Sequence, residues 1–283
     1  MPQVALQQAT IDYRVLGPDD SAHPPVLFVH GILVDSRLWL GVAERLAQQG
    51  FRCILPNWPL GSHTTPVTQR AALSPAGVAE MIHDFLVALD LTDVTLVGND
   101  TGGGLCQLLV DAHPERIGRL VLTNCDAFEK FPPFPFNLVF GLLRGPASIR
   151  ALMTMMRPTA VRHSPLGFGL LAKHLDPAVT AAWVAPCGND SRIAGDLATL
   201  LRHVAVTDLT EVATRLPRFT KPVTLVWGTA DRCFTPGLGR KLAATFPNSE
   251  FVAVPGARTF VALDAPAAVV DAVARTSGVG ATS

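Results

Sequence analysis

VTLVGNDTGGGLCQLLV, residues 94–110, decides the reading of this chain. An apolar, β-branched run ends at Gly98. Asn99-Asp100-Thr101 follows, then three glycines, and the pattern turns helical through Leu105, Leu108 and Leu109. The spacing predicts a strand, a tight turn and a helix, with an ionisable residue at the apex. Such a turn needs small residues on both sides, because Cβ atoms there would collide with the neighbouring strand and helix. Asp100 is thereby held above the sheet, beside a helix N-terminus whose free N–H groups and dipole favour negative charge. The plainer alternative is a glycine-rich turn in which Asp100 merely caps the helix.

Around this turn, short apolar runs alternate with helical patterns. Residues 4–16 suggest an opening β-hairpin, Val26–Val29 a buried strand, Ser36 to about Gln49 a helix, and Cys53–Leu55 a strand. Ser74–Leu89 reads as a helix with Ser74-Pro75 as cap and first position. Beyond the turn, Arg119–Thr123, Pro222–Trp227 and Glu250–Val254 read as strands, with a helix to Phe246 and a last helix from about Asp264. This alternation predicts a mainly parallel sheet covered on both faces. Residues 127–215 break the rhythm. They open with FPPFPF at 131–136 and continue in helical patches through Met153–Met156, Leu170-Leu171 and Leu197–Leu201. The economical reading is a helical lid inserted after the sixth strand, on a core of residues 1–126 and 216–283.

Composition narrows the function classes. Hydrophobic residues make up 48% of the 283 and charged ones 16%, which suits a packed core rather than a disordered chain. The 23 basic and 23 acidic residues leave no basic excess for nucleic acid or an anionic membrane. The five cysteines are scattered, with no C-x-x-C pair, and suit reduced thiols in a cytoplasmic protein. No signal peptide or membrane-spanning run is visible. Neither a metal-ligand spacing nor a cofactor fingerprint is present, so no metal and no cofactor is expected. Oligomeric state is left open.

Four segments, in this order and spacing, resemble the α/β-hydrolase fold over nearly the whole chain. FVHG at 28–31 resembles the strand end that supplies oxyanion-hole backbone. GNDTGG at 98–103 resembles the nucleophile elbow of the aspartate branch, which includes haloalkane dehalogenases and epoxide hydrolases. HPERIGRLVLTN at 113–124 resembles the next helix end and strand, and VWGTAD at 226–231 the strand that presents the catalytic acid. The resemblance implies that Asp100 attacks carbon to form an ester. A histidine near the C-terminus then activates water, and an acid orients that histidine. It places the oxyanion donors at the backbone of Ile32 and Thr101.

The expected histidine is missing. In PGARTFVALDAP, 255–266, Thr259 occupies its place, and no histidine lies beyond His203. A threonine hydroxyl is no base near neutral pH, whereas imidazole titrates there. Dehalogenases also place a halide-binding tryptophan directly after the nucleophile, where this chain has Thr101. Epoxide hydrolases use two lid tyrosines, and the only tyrosine here is Tyr13. The triad is therefore incomplete.

Asp231 ends a strand at the usual acid position, with a turn-forming role as the alternative. Asp126 follows the sixth strand, where some dehalogenases carry their acid. If both faced Asp100, one pKa would rise, setting a neutral acid beside an ionised base. His163, His174 and His203 are candidate replacement bases in the lid. His30, Trp39, Phe128, Phe134, Trp183 and Thr259 are candidates to contact substrate. The reading is a hydrolase of a carbon–heteroatom bond in a small apolar molecule, with Asp100 as nucleophile or base. Non-hydrolytic acid–base chemistry (elimination, isomerisation or cyclisation) and ligand binding on a disabled hydrolase fold are the alternatives.

Overall fold

The computed structural model describes residues 1–129, 131, 133–143 and 145–278. Pro132 of the proline-rich run, residues 130 and 144 of the expected insertion and residues 279–283 lie outside the described residues. Eight strands form one sheet: β1 Gln3–Ala5, β2 Thr10–Leu16, β3 Val26–Val29, β4 Cys53–Pro56, β5 Val94–Asp100, β6 Ile117–Cys125, β7 Val223–Gly228 and β8 Ser249–Val254. Their order is β1-β2-β4-β3-β5-β6-β7-β8, parallel from β4 to β8, with the β1–β2 hairpin antiparallel at one edge.

The inner strands β3, β5, β6 and β7 are buried along nearly their whole length, with the polar residues of β5 and β6 gathered mainly at their C-terminal ends. Strands that bury both faces need a helical layer on each side. The helices of the core are α1 Leu40–Gln48, α2 Pro75–Ala88 and α3 Thr101–Ala112. Between β6 and β7 run α4 Phe136–Leu142, α5 Pro146–Met155, α6 Thr159–Arg162, α7 Pro177–Asn189, α8 Ser191–Val204 and α9 Thr210–Arg215. Helices α10 Pro236–Ala243, α11 Val261–Asp264 and α12 Pro266–Thr276 follow β7 and β8. Helix α1 packs with α12, and α2 with α3. No strand lies between β6 and β7 among the described residues, as the interrupted rhythm implied.

Two boundaries differ from the sequence reading. The helix expected from Ser36 begins as a 3₁₀ turn, Ser36–Trp39, because Asp35 accepts from the Arg37 N–H and tightens the first turn. The last helix is split at Ala265, since Pro266 supplies no N–H and disfavours helical backbone before it. At α2 the Ser74 hydroxyl accepts from Gly77 N–H at 3.0 Å, the cap its sequence suggested.

The helices between β6 and β7 are tied to the core at several points. Asp196 of α8, fully buried, accepts from Arg70 Nε at 2.7 Å and Val67 N–H at 3.1 Å and faces His63 Nε2 at 3.4 Å. Trp183 of α7 donates its indole N–H to Asp35 at 3.0 Å, and Ser62 donates to the Trp183 carbonyl at 2.8 Å. Within the segment, buried Arg162 donates to the Met156 and Pro177 carbonyls and to the Thr159 and Thr180 hydroxyls. Leu138 and Leu142 of α4 are exposed. No helix among the described residues is long and apolar enough to cross a membrane.

Candidate active site

The C-terminal edge of a parallel sheet gathers the loops that follow adjacent strands. Here it collects Ile32 after β3, Asp100 at the end of β5, Asp126 after β6, Asp231 after β7 and Thr259 after β8. Asp100 pairs with Cys125 across β5 and β6, past a register irregularity at Asn99/Asp100. That pairing sets Asp126 beside Asp100, with the Asp126 N–H donating to the Asp100 carbonyl at 3.4 Å.

Asp100 sits at the sharp strand-to-helix junction with φ +55° and ψ −133°, a strained conformation for a residue with a Cβ. Tight packing over-determines it. An added Cβ on Gly102 would fall 2.4 Å from the Val29 carbonyl oxygen and 2.5 Å from that of His30. One on Gly31 would fall 2.2 Å from Asp100 Oδ2, so the carboxylate lies directly over the segment that precedes Ile32.

Asp100, Thr101, Asp126 and Ile32 border a cavity of about 250 Å³. Its other walls are apolar or glycine, chiefly from the helical segment: Phe136, Phe140, Leu143, Leu152, Met156, Phe168, Leu170 and Leu171 among them. No lysine, arginine or histidine among the described residues lines it. Asp100 is partly open to this space, whereas Asp126 is 1% and Asp231 5% exposed.

The three carboxylates differ in what holds them. Asp231 is well provided: it accepts from Asn124 Nδ2 and the Thr259 hydroxyl, both at 2.8 Å, and from the N–H groups of Cys233 and Phe234. Burial nevertheless pushes its pKa up. Asp126 has neither oxygen in hydrogen-bonding geometry with any partner. Burial, reinforced by the charge of Asp100, raises it well above the carboxylate range, and only the Thr101 hydroxyl acts the other way. Burial, then the charge of Asp231, raises Asp100 to about 7 against the pull of the Thr101 N–H. Both carboxyls thus resist ionisation, burial being the largest cause for each.

Thr259 lies where the sequence register put it, at the acid, and is fully buried. Its carbonyl accepts from Asn99 Nδ2 at 2.8 Å and its hydroxyl is spent on Asp231. It does not reach the cavity lining, and nor does Asp231.

The other residues expected at a ligand lie elsewhere. His30 is fully buried. Its Nδ1 meets the Gly31 carbonyl at 2.9 Å, its Nε2 accepts from the Trp58 N–H at 2.9 Å, and burial lowers its pKa to about 4. It therefore holds its loop as a neutral ring. Trp39 packs on Phe28 in the core, and Trp183 fastens the helical segment to Asp35. Phe128 stacks under Lys241, while Phe134 is 69% exposed and outside the lining. Of the candidate bases, His163 bonds the Thr180 hydroxyl, His203 the Thr199 carbonyl, and His174 stands in solvent beside Asp264. None lines the cavity. The sequence reading did not single out Phe140, Leu143, Leu152 or Phe168. The i, i+4 pairs Phe136/Phe140 and Val139/Leu143 were the available signal.

One group with metal-ligand chemistry occurs among the described residues. His83, His113 and Glu115 bring one ligand atom each to within 4.8 Å of one another, at the far end of α3 from Asp100. The two imidazoles stack at 4.0 Å.

Comparison with known proteins agrees with this architecture. An uncharacterized protein of Mycobacterium tuberculosis is 28% identical over 93% of this chain and 76% of its own length. Haloalkane dehalogenase 2 of the same organism is 26% identical over 92% of this chain and 90% of its own. The crystal structure of a putative ancestral haloalkane dehalogenase superposes with a TM-score of 0.77 at 19% identity, covering 98% of this chain and all of the other. The alpha/beta hydrolase fold family model matches residues 24–266, and the chain belongs to that family.

Proposed function

We propose that this protein is a hydrolase of a carbon–heteroatom bond in a small, largely apolar molecule, working through Asp100 and Asp126. Residues 127–215 act in this reading as the lid, and Asp100 as the apex of the elbow. The observation that carries the reading is the pair of buried carboxyls on the floor of an apolar cavity, one open to ligand and one without a partner.

Asp100, titrating near neutrality, serves as general base for a water. Asp126, held protonated by burial, donates its proton to the departing heteroatom, and the backbone N–H groups of Ile32 and Thr101 receive developing negative charge. Water's proton passes to Asp100 and the Asp126 proton to the leaving group, so one exchange through solvent resets both. The base role is favoured over a covalent one because no imidazole stands at the cavity to release an ester of Asp100. Asp231 and Thr259 hold the loops behind Asp100.

Intact-protein mass spectrometry after exposure to reactive alkyl halides tests the assignment. Turnover or an unmodified protein is expected. A persistent adduct on Asp100 would instead make it a nucleophile whose ester is stranded. Activity that survives in Asp100→Asn would remove Asp100 from the mechanism.

A non-hydrolytic elimination or isomerisation is the second reading, favoured by the same lack of an imidazole at the cavity. Products formed in ¹⁸O-labelled water separate the two, because only hydrolysis incorporates the label.

A further inference from the structure

Asp100, Asp126 and Asp231 form an acidic group that no basic side chain among the described residues of the cavity wall answers. Asp231 is satisfied by four donors and stands behind the cavity lining. Asp126 is the anomaly: it borders the cavity, is almost wholly buried, and both oxygens lack a partner. A buried carboxyl left in that state is costly unless something brings it a hydrogen-bond donor or a positive charge. A histidine at residue 259 would be such a source, but Thr259 is neutral and already committed to Asp231 and Asn99.

Resting on the reading of Asp100 and Asp126 as the working residues, we propose that the cavity's ligand is an apolar ammonium. It would be a protonated alkyl- or arylalkylamine with its nitrogen at Asp100, in the field of Asp126. The N–H donors give Asp100 charge-assisted hydrogen bonds, and the positive charge is one that no described residue of the lining supplies. The hydrocarbon part lies among Phe140, Leu152, Met156 and Phe168. Competing occupants fit poorly. A divalent cation requires six or more oxygen ligands, and the lining offers two carboxyls and one hydroxyl before the walls turn apolar. An anion would meet uncompensated negative charge at the floor.

Calorimetric titration near neutral pH with benzylamine and phenethylamine, each against its isosteric alcohol, tests this. Each amine is expected to bind at least about tenfold more tightly than its alcohol, because only the amine brings a charge to the carboxyls. Asp100→Asn should cut amine affinity about tenfold and leave the alcohols within about twofold, as expected for loss of one buried charge partner. Asp100→Ser provides a second variant with the same expected pattern should Asp100→Asn fold poorly, and circular dichroism checks both. Alcohols binding as tightly as amines, amine affinity unchanged in the variants, or no amine binding at all would each overturn the inference. If amine preference fails while turnover still depends on Asp100, the proposed function stands and only the ligand class falls.

Discussion

Replacing Gly102 with alanine sets two opposed magnitudes against each other. Gly102 lies in the first turn of α3, and alanine is favoured over glycine in a helix by about 1 kcal/mol. The added methyl, however, would stand 2.4 Å and 2.5 Å from the carbonyl oxygens of Val29 and His30, about 1 Å closer than ordinary contact. Both obstacles are backbone at the end of the fully buried strand β3, so neither can swing aside. Overpacking of this kind costs typically about 1–3 kcal/mol, and two rigid obstacles place it at the upper end. The net expectation is a loss of about 2 kcal/mol. At roughly 2–4 °C per kcal/mol for a chain of this class, that lowers Tm by about 4–8 °C in a calorimetric melt. Gly41→Ala is the control. Gly41 is exposed in α1, a Cβ there meets nothing within 4 Å, and a gain of up to about 1 kcal/mol is expected. If Gly102→Ala raised Tm as Gly41→Ala does, the close approach of α3 to β3, and with it the fixed stance of Asp100, would be refuted.

Other expectations follow from the charges and the buried donors. Activity should rise with pH through about 7 as Asp100 loses its proton, and a pH–rate profile flat across that range would refute the base role. Because the folded protein holds this proton more tightly than the unfolded chain, the contribution of Asp100 to stability is fully present below about pH 4. It is lost as pH climbs through 7, which urea midpoints across that range would register. His30 works in the opposite sense: kept neutral by burial, it should destabilise the fold as pH falls from about 6.5 towards 4, and His30→Gln should flatten that slope. Thr259→Val removes one of the four donors to buried Asp231. It should cost roughly 1–3 kcal/mol in denaturant unfolding, with a wild-type value refuting the bond. Arg162→Met strands carbonyls and hydroxyls that the guanidinium now satisfies, and is expected to lose about 3 kcal/mol or more, read by thermal melting.

The sheet was legible because its inner strands are short, β-branched and apolar, and because glycines flank Asp100 at spacings that only a sharp turn explains. Asp126 and Asp231 could be nominated from their places after strands. Their difference in hydrogen bonding could not, since it depends on Asn124, Cys233, Phe234 and Thr259 arriving from separate loops. The aromatic candidates failed for a related reason. Composition marks Trp39 and Trp183 as apolar, but the direction of each side chain is set by packing, which turned one into the core and the other towards Asp35. Asp196 and its partners His63, Val67 and Arg70 are separated by well over a hundred residues, beyond any local pattern.

The uneven burial of the helical segment has a dynamic consequence. Amides of α7 and α8, next to the Trp183 and Asp196 ties, should open to deuterium only with the global fold. Those of α4, which shows Leu138 and Leu142 to water, should exchange by small local openings. Leu138 and Leu142 give this part of the segment an apolar face towards water. A molecule bound for the carboxyls must first shed its water among hydrocarbon, and that threshold screens solutes before the floor of the cavity does.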